Sequence, residues 1–396
     1  MVSVMVTTST IYMVLPLFFK QYGMSTTNVG ILISVGSFAG IISSMLAGKY
    51  SDSHGRKPVL LVGVSLYALV FFLFSFAGKD YNTFLVLRFI EGFAFFMTPV
   101  AITTMAADIF PKHQRGKAMA LYTMSSGIGQ LFGPLAAGEF LKTADFTTYF
   151  YFCGGFVAVG ALIVLFFVKE TRPDYVIEHQ EKTKGDPFTV SGLVANLKSL
   201  GKVVAIFFVA VLIYRTGNTM VNPFFSLYLK QELNLDVSSS SYFFAVRALM
   251  TMVFAPLTGY MLDKKGRKPT FLVGMVLLAV TMMGYRSVNT YDQVLMIRAL
   301  ESISNAILMT TTRTYVADLM RPEIRGFGMG LYMTIVDESS TMGALIGGWI
   351  ADIYSFGTIF LIGAITAAVC AVITFLWVPE PPKHEIGEEE TVPVAH

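Results

Sequence analysis

The sequence predicts an all-α membrane protein in which twelve transmembrane helices form two pseudo-symmetric six-helix bundles. Three observations carry that prediction. The chain of 396 residues is 54% hydrophobic and only 14% charged, whereas soluble chains carry about 25% charged residues. Twelve apolar stretches are long enough to cross a bilayer, which takes roughly 20 residues each. The second half of the chain repeats the first at a fixed offset of about 210 residues.

That composition, with a mean hydropathy of +0.62, leaves too little polar surface to coat a water-exposed fold. It excludes a soluble enzyme, a nucleic-acid-binding protein and a disordered chain. A net charge of +3, from 29 Lys+Arg against 26 Asp+Glu, implies no polyanionic partner. Cys153 and Cys370 lie inside apolar runs, so neither a disulfide framework nor a thiolate metal site is expected. No small-residue cleavage site follows the apolar run that Met1 opens, so no secretory signal peptide is expected.

The spans follow in order, most separated by short charged loops. Span one covers 2–20 and closes at Lys20; span two, 28–48, closes at Lys49. Span three, 58–77, ends before Lys79, and span four, 82–107, before Asp108. Span five, 117–138, carries Gly129, Gly133 and Ala137 at every fourth position, a stripe of small residues that permits close helix packing. Span six, 148–168, completes the first bundle, 1–168. The charged, proline-containing stretch 169–201 reads as a linker, with a short surface helix over 191–200. Spans seven to twelve then occupy 202–228, 240–261, 269–287, 292–317, 327–350 and 357–378, a second bundle over 202–378. An acidic tail, 379–396, follows.

Basic residues orient the spans, because short cytoplasmic loops are enriched in Lys and Arg. With both termini and the linker inside, nineteen cations fall in inner loops and the tail, against five outside: Lys20, Lys79, Lys142, Lys230 and Arg286. The expectation is a multi-pass cell-membrane protein with both termini cytoplasmic.

The repeat is detailed. Gly48, Asp52, Gly55, Arg56, Lys57 and Pro58 recur as Gly259, Asp263, Gly266, Arg267, Lys268 and Pro269. Arg88 and Glu91 recur as Arg298 and Glu301, Asp108 as Asp318, and Val168 and Glu170 as Val378 and Glu380. The glycines suit tight turns that need permissive backbone dihedrals. Asp52 suits the positive end of a helix.

These residues resemble the major facilitator superfamily of secondary transporters, whose signature is the Gly-x-x-x-Asp-x-x-Gly-Arg-Lys loop, present here in both halves. The resemblance implies that Asp52 faces the start of span eleven, at 326–329, and that Arg56 pairs with Asp108. Asp263 and Arg267 would do the same with span five and Asp318. Such contacts would latch the halves together on the cytoplasmic side, although Lys57 and Lys268 are as well explained by topology alone. Gly129, Gly133, Pro134 and Gly138 of span five are similar to a motif of twelve-span drug:proton antiporters, with Ala137 where that pattern has Gly. The family's usual acidic residue in span one has no counterpart between Met1 and Phe19.

Ionisable residues inside a span cost roughly 2.5–3.5 kcal/mol each on insertion scales and are functional candidates by default. Glu91, Glu301, Asp337 and Glu338 are the proton-coupling candidates, with Arg88 at the position of the family's span-four Arg. Arg88–Glu91 and Arg298–Glu301, three apart on one helix face, also read as self-neutralising ion pairs. Tyr214, Arg215, Asn218, Arg247, Arg298 and Arg313 are the substrate-cavity candidates. His54, His113, His179, His384 and His396 all fall in loops or the tail, so neither a metal site nor a buried histidine relay is expected. Without a phosphate-binding loop, ATP hydrolysis is not expected either, nor is any cofactor.

The expected function is proton-coupled efflux of small amphipathic compounds by alternating access, as a monomer in the lipid bilayer, with a small-molecule substrate, protons as coupling ion and no nucleic acid. Transport of an anionic metabolite or lipid is the alternative. An intramembrane enzyme using Asp337 and Glu338, or a non-transporting sensor, is a remote one.

Overall fold

A computed structural model of the chain describes residues 1–111, 114–172, 201–320 and 324–381. Most of the linker with its expected surface helix, most of the acidic tail, and His113, His179, His384 and His396 lie outside the described residues. Among the described residues every regular element is helical. Among these residues nine helices are long and apolar enough to cross a bilayer, and the broken pair Val2–Ser9 and Ile11–Gln21 makes a tenth. Span five, Arg115–Phe140, and span eleven, Arg325–Ile353, are long but less apolar, being rich in Gly, Ser and Thr. Both lie where the two halves meet: span five packs on spans one and eight, and span eleven on spans two and seven.

Two breaks were not legible in the periodicity. Span one bends by 47° at Thr10, where the Ser9 and Thr10 hydroxyls donate back to the carbonyls of Val6 and Thr7 and compete with the helix ladder. Pro16 then lacks the N–H that the Tyr12 carbonyl would accept, and the Ser226 hydroxyl of span seven donates to that carbonyl instead, at 3.3 Å. Span seven runs as Gly201–Thr219, a 3₁₀ turn over Asn222–Phe224 and a last helix Phe225–Gln231. Pro223 interrupts it by removing a donor and disfavouring helical backbone at Asn222. Pro134, by contrast, leaves span five continuous.

Helix starts divide into two classes. Spans two, four, six, eight, ten and twelve begin at Ser25, Asp80, Asp145, Asp236, Thr290 and Ser355, each of which accepts a hydrogen bond from a first-turn N–H. All six lie on one face of the bundle, opposite the Gly48–Lys57 loop. On the loop face, spans three and nine borrow a carboxylate. Glu170 accepts from the N–H groups of Arg56 and Lys57 at 2.8 and 3.0 Å, and Glu380 from those of Arg267 and Lys268 at 2.6 and 2.7 Å. Partial burial would raise the Glu170 carboxyl, but the N–H groups of Arg56, Arg172, Lys57 and Thr171 outweigh it and hold it below the usual range. Gly55 and Gly266, at φ 109° and 90°, make the turns that bring these carboxylates in. A Cβ on either would stand 2.5 Å from a carboxylate oxygen.

The halves are joined at the capped face. Asp352 of span eleven accepts from the N–H groups of Thr26 and Thr27 of span two, both at 2.7 Å. One turn inward, Gly30 meets Gly348 so closely that a Cβ would lie 2.5 Å from the Ala344 carbonyl. Deeper still, the Ser34 hydroxyl donates to the Thr341 carbonyl at 2.9 Å. Gly138 of span five likewise packs on Ser238 and Ser241 of span eight. On the loop face Gly48, Gly259, Gly326 and Gly330 have nothing within 4 Å of where a Cβ would stand. The halves therefore close at the capped face and part at the loop face.

Candidate functional site

A cavity of about 260 Å³ lies between the halves, lined by Tyr12 and Gln130 from the first and by Arg215, Asn218, Arg247 and Asn305 from the second. Arg215 and Asn218, three apart on span seven, share a face. Arg247 donates to the Asn222 side-chain carbonyl, at the 3₁₀ turn that Pro223 creates. Of the cavity candidates, Arg215, Asn218 and Arg247 are thus brought together. The other three are not. Tyr214 is buried behind the wall with its hydroxyl 3.3 Å from that of Thr312. Arg313 is exposed beside Tyr332, near the loop-face end of its span. Arg298 is wholly buried one layer behind the cavity. Tyr12, Gln130, Asn222 and Asn305 carry no charge and form no repeat, so nothing in the sequence distinguished them.

Both intramembrane Arg–Glu pairs form. Arg88 donates to Glu91 and, through Nε, to the Leu32 carbonyl at 3.0 Å. Gly36 leaves room for its guanidinium, and Tyr67 lies against Glu91. Arg298 lies 2.7 Å from Glu301 and stacks on Phe225, 3.9 Å from the ring centroid. Tyr285 donates to the same Glu301 oxygen at 2.7 Å, and Asn305 to the other at 3.1 Å. Asn305 in turn accepts from Asn218 at 2.9 Å. A buried carboxylate is thereby wired to the cavity wall through two amides.

Asp337 and Glu338 differ from these. Both are half-buried on span eleven, and among the described residues neither forms an ion pair within 4 Å. Asp337 stands one turn toward the loop face from the cavity residue Ser340, within electrostatic reach of Arg215.

The signature loops are built as pairs inside each half. Arg56 lies 2.8 Å from Asp108 and donates to the Ser51 carbonyl at 2.8 Å. Arg267 lies 2.8 Å from Asp318 and donates to the Leu262 carbonyl at 3.1 Å. Lys57 and Lys268 cap the ends of spans six and twelve, donating to the carbonyls of Leu165 and Phe375. The cross-half latch is a different matter. Asp52 is exposed, with Arg56 of its own half at 3.3 Å, and Asp263 is exposed too. Among the described residues the expected contact of Asp52 with the start of span eleven is not made, and the halves stand apart at this face. In span five, Gly129 and Gly133 pack on span one of their own half, against Met5, Val6 and Ser9, while Gly138 meets the opposite half.

Comparison with known proteins agrees with this architecture. The sequence profile of the Major Facilitator Superfamily matches residues 1–214 and again 207–395. An uncharacterized MFS-type transporter of Methanocaldococcus jannaschii is 23% identical over 369 residues, covering 92% of each chain. The multidrug resistance protein MdtG of Salmonella typhimurium is 25% identical over 359 residues, 88% of this chain and 86% of its own. Among solved structures, the nucleoside transporter NupG superposes with a TM-score of 0.79 at 15% identity, over 94% of this chain and 96% of its own. A D-xylose-proton symporter superposes at 0.75 and 16% identity, over 96% and 94%.

Proposed function

The chain belongs to the major facilitator superfamily, a multi-pass membrane transporter rather than an enzyme, and on that premise we propose that it exports small amphipathic compounds in exchange for protons by alternating access. The observation that carries this reading is the asymmetry of the inter-half contacts. The cavity at Arg215 and Arg247 is sealed on the Asp352 side, while the halves part on the signature-loop side. The positive-inside bias makes the loop face cytoplasmic, so the open side is the one from which an exporter loads. The likeness to MdtG supports efflux, and Gly138 of the span-five motif packs closely on the opposite half.

Reconstituted protein in liposomes, screened for compound movement with and without an imposed pH gradient, tests the reading. Movement against the proton gradient is expected, and compound movement indifferent to the gradient argues against exchange. Single cysteines at Lys79 and Lys264 test the orientation with an impermeant thiol reagent on intact cells. Labelling at Lys264 but not Lys79 would invert it.

A further inference from the structure

We propose that the central cavity is an anion site, in which Arg215 and Arg247 hold the carboxylate or phosphate oxygens of a small organic molecule while Asn218 accepts a hydrogen bond from a donor on the same molecule. The inference rests on the transport reading only in taking this cavity as the substrate site.

Charge comes first. Two guanidinium groups line the cavity, and no carboxylate lines it among the described residues. Glu301, the nearest buried acid behind the wall, lies within electrostatic reach of Arg247 but is already paired with Arg298 and hydrogen-bonded by Tyr285 and Asn305. Arg247 finds a neutral amide oxygen on Asn222, and Arg215 Nε is buried with no hydrogen-bond partner. Asp337 stays beyond ion-pair distance of Arg215. Cations in a low-dielectric interior are costly without a counter-charge. A bound anion supplies it, and guanidinium forks match planar or tetrahedral oxyanions.

The hydrogen-bond polarity around Asn218 adds a second requirement. An ionised Glu301 can only accept, so Asn305 must present its NH₂ to it. That turns the Asn305 carbonyl toward Asn218, which must donate through its own NH₂. The Asn218 carbonyl is then left over, buried and unpartnered, in the cavity wall. Only a donor satisfies it. The ligand therefore carries an oxyanion and, a short distance away, an O–H or N–H. At about 260 Å³ the cavity lies just below the range of roughly 300–1,000 Å³ for drug-sized ligands, so the occupant is small.

The test is equilibrium binding to the purified full chain, by calorimetry, with five probes: 3-hydroxybenzoate, benzoate, phenyl phosphate, neutral benzamide and the cation tetraphenylphosphonium. Binding is expected for the three anions, with 3-hydroxybenzoate tighter than benzoate because it alone of the two carboxylates offers a hydroxyl donor. Phenyl phosphate above or below benzoate assigns the oxyanion as phosphate or carboxylate. Arg215→Gln and Arg247→Gln should each weaken anion binding by at least about tenfold, and Asn218→Leu should erase the preference for 3-hydroxybenzoate. Should a glutamine variant fail to fold, Arg215→Lys and the wild-type comparison of benzoate with benzamide decide. The proposal is overturned if no anion binds, if benzamide or the cation binds as well as the anions, or if the arginine variants bind benzoate unchanged. Anion binding without pH-driven movement would remove the proton-exchange reading and leave this site standing. Proton-driven movement of the cation with no anion binding would do the reverse.

Discussion

Asp352, at the end of span eleven, caps the start of span two by accepting from Thr26 and Thr27, each at 2.7 Å. The arrangement mirrors the one the signature loop offers at the other face. The two spans run antiparallel, so each ends in an Asp, Asp52 or Asp352, beside the amino-terminal end of its neighbour. Here the Asp352 end is engaged and the Asp52 end is not. If the protein works by alternating access as proposed, one carboxylate cap would be exchanged for the other along this helix pair.

Asp352→Asn should loosen the closed face by removing a charge-assisted pair of hydrogen bonds, a loss of about 1.5–3 kcal/mol. Spin-label distances across that face should broaden toward an open population. Unchanged distances across that face in the variant would assign the seal to another contact.

Asp52→Asn should deepen the asymmetry seen here. Ile324 provides no side-chain cap for span eleven, so under the proposed latch Asp52 would be the charged partner of that helix start in the opposite state. The variant should lose transport and populate the loop-face-open state more fully, by about 0.3–1 kcal/mol if the helix-end interaction is exposed. Unchanged distances across the loop face would show that Asp52 has no latch role.

Close helix approach predicts a stability effect remote from any charge. A Cβ on Gly92 would overlap the Gly36 carbonyl, backbone against backbone, and one on Gly36 would displace the Arg88 guanidinium. Gly92→Ala should therefore cost about 1–3 kcal/mol by overpacking, seen as a lowered thermal midpoint in detergent. Gly48→Ala, with open space around it, should not.

What could be read in the sequence was what repeats or what the bilayer penalises. The doubled loop, the paired Arg88–Glu91 and Arg298–Glu301, and the apolar periods stand out because lipid forbids casual charge. Even the Val168–Glu170 match with Val378–Glu380 pointed to a shared role, though only the structure places those carboxylates on helix starts. Asn218, Asn305 and Tyr12 were beyond reach because uncharged polar residues are ordinary in a span, and their meaning comes from a cavity built by six helices. The breaks at Thr10 and Asn222 depend on local hydroxyl and proline chemistry that an apolar count averages away. Asp352 looked like a loop residue, since its partner is backbone from the other half.

Energy coupling separates the four acids. Glu91 and Glu301 are fully buried in ion pairs with Arg88 and Arg298, and removing one member of such a pair strands the other at a cost of roughly 3–5 kcal/mol. Glu301→Gln should therefore impair folding and expression, because Arg298 loses its counter-charge. Asp337 has no ion pair to lose, lies beside Arg215, and stands on the loop-face side of the cavity. A carboxylate that alternates between a proton and Arg215 suits coupling, since the substrate's arrival at Arg215 would compete for the same cation. Asp337→Asn should abolish movement driven by a pH gradient while leaving counterflow exchange largely intact, because exchange moves no net protons. Glu338→Gln, on a face about 100° away, should retain both. Full gradient response in the Asp337→Asn protein would exclude it as the coupling acid and return the role to Glu91, whose Gln variant should then show the split between driven movement and exchange.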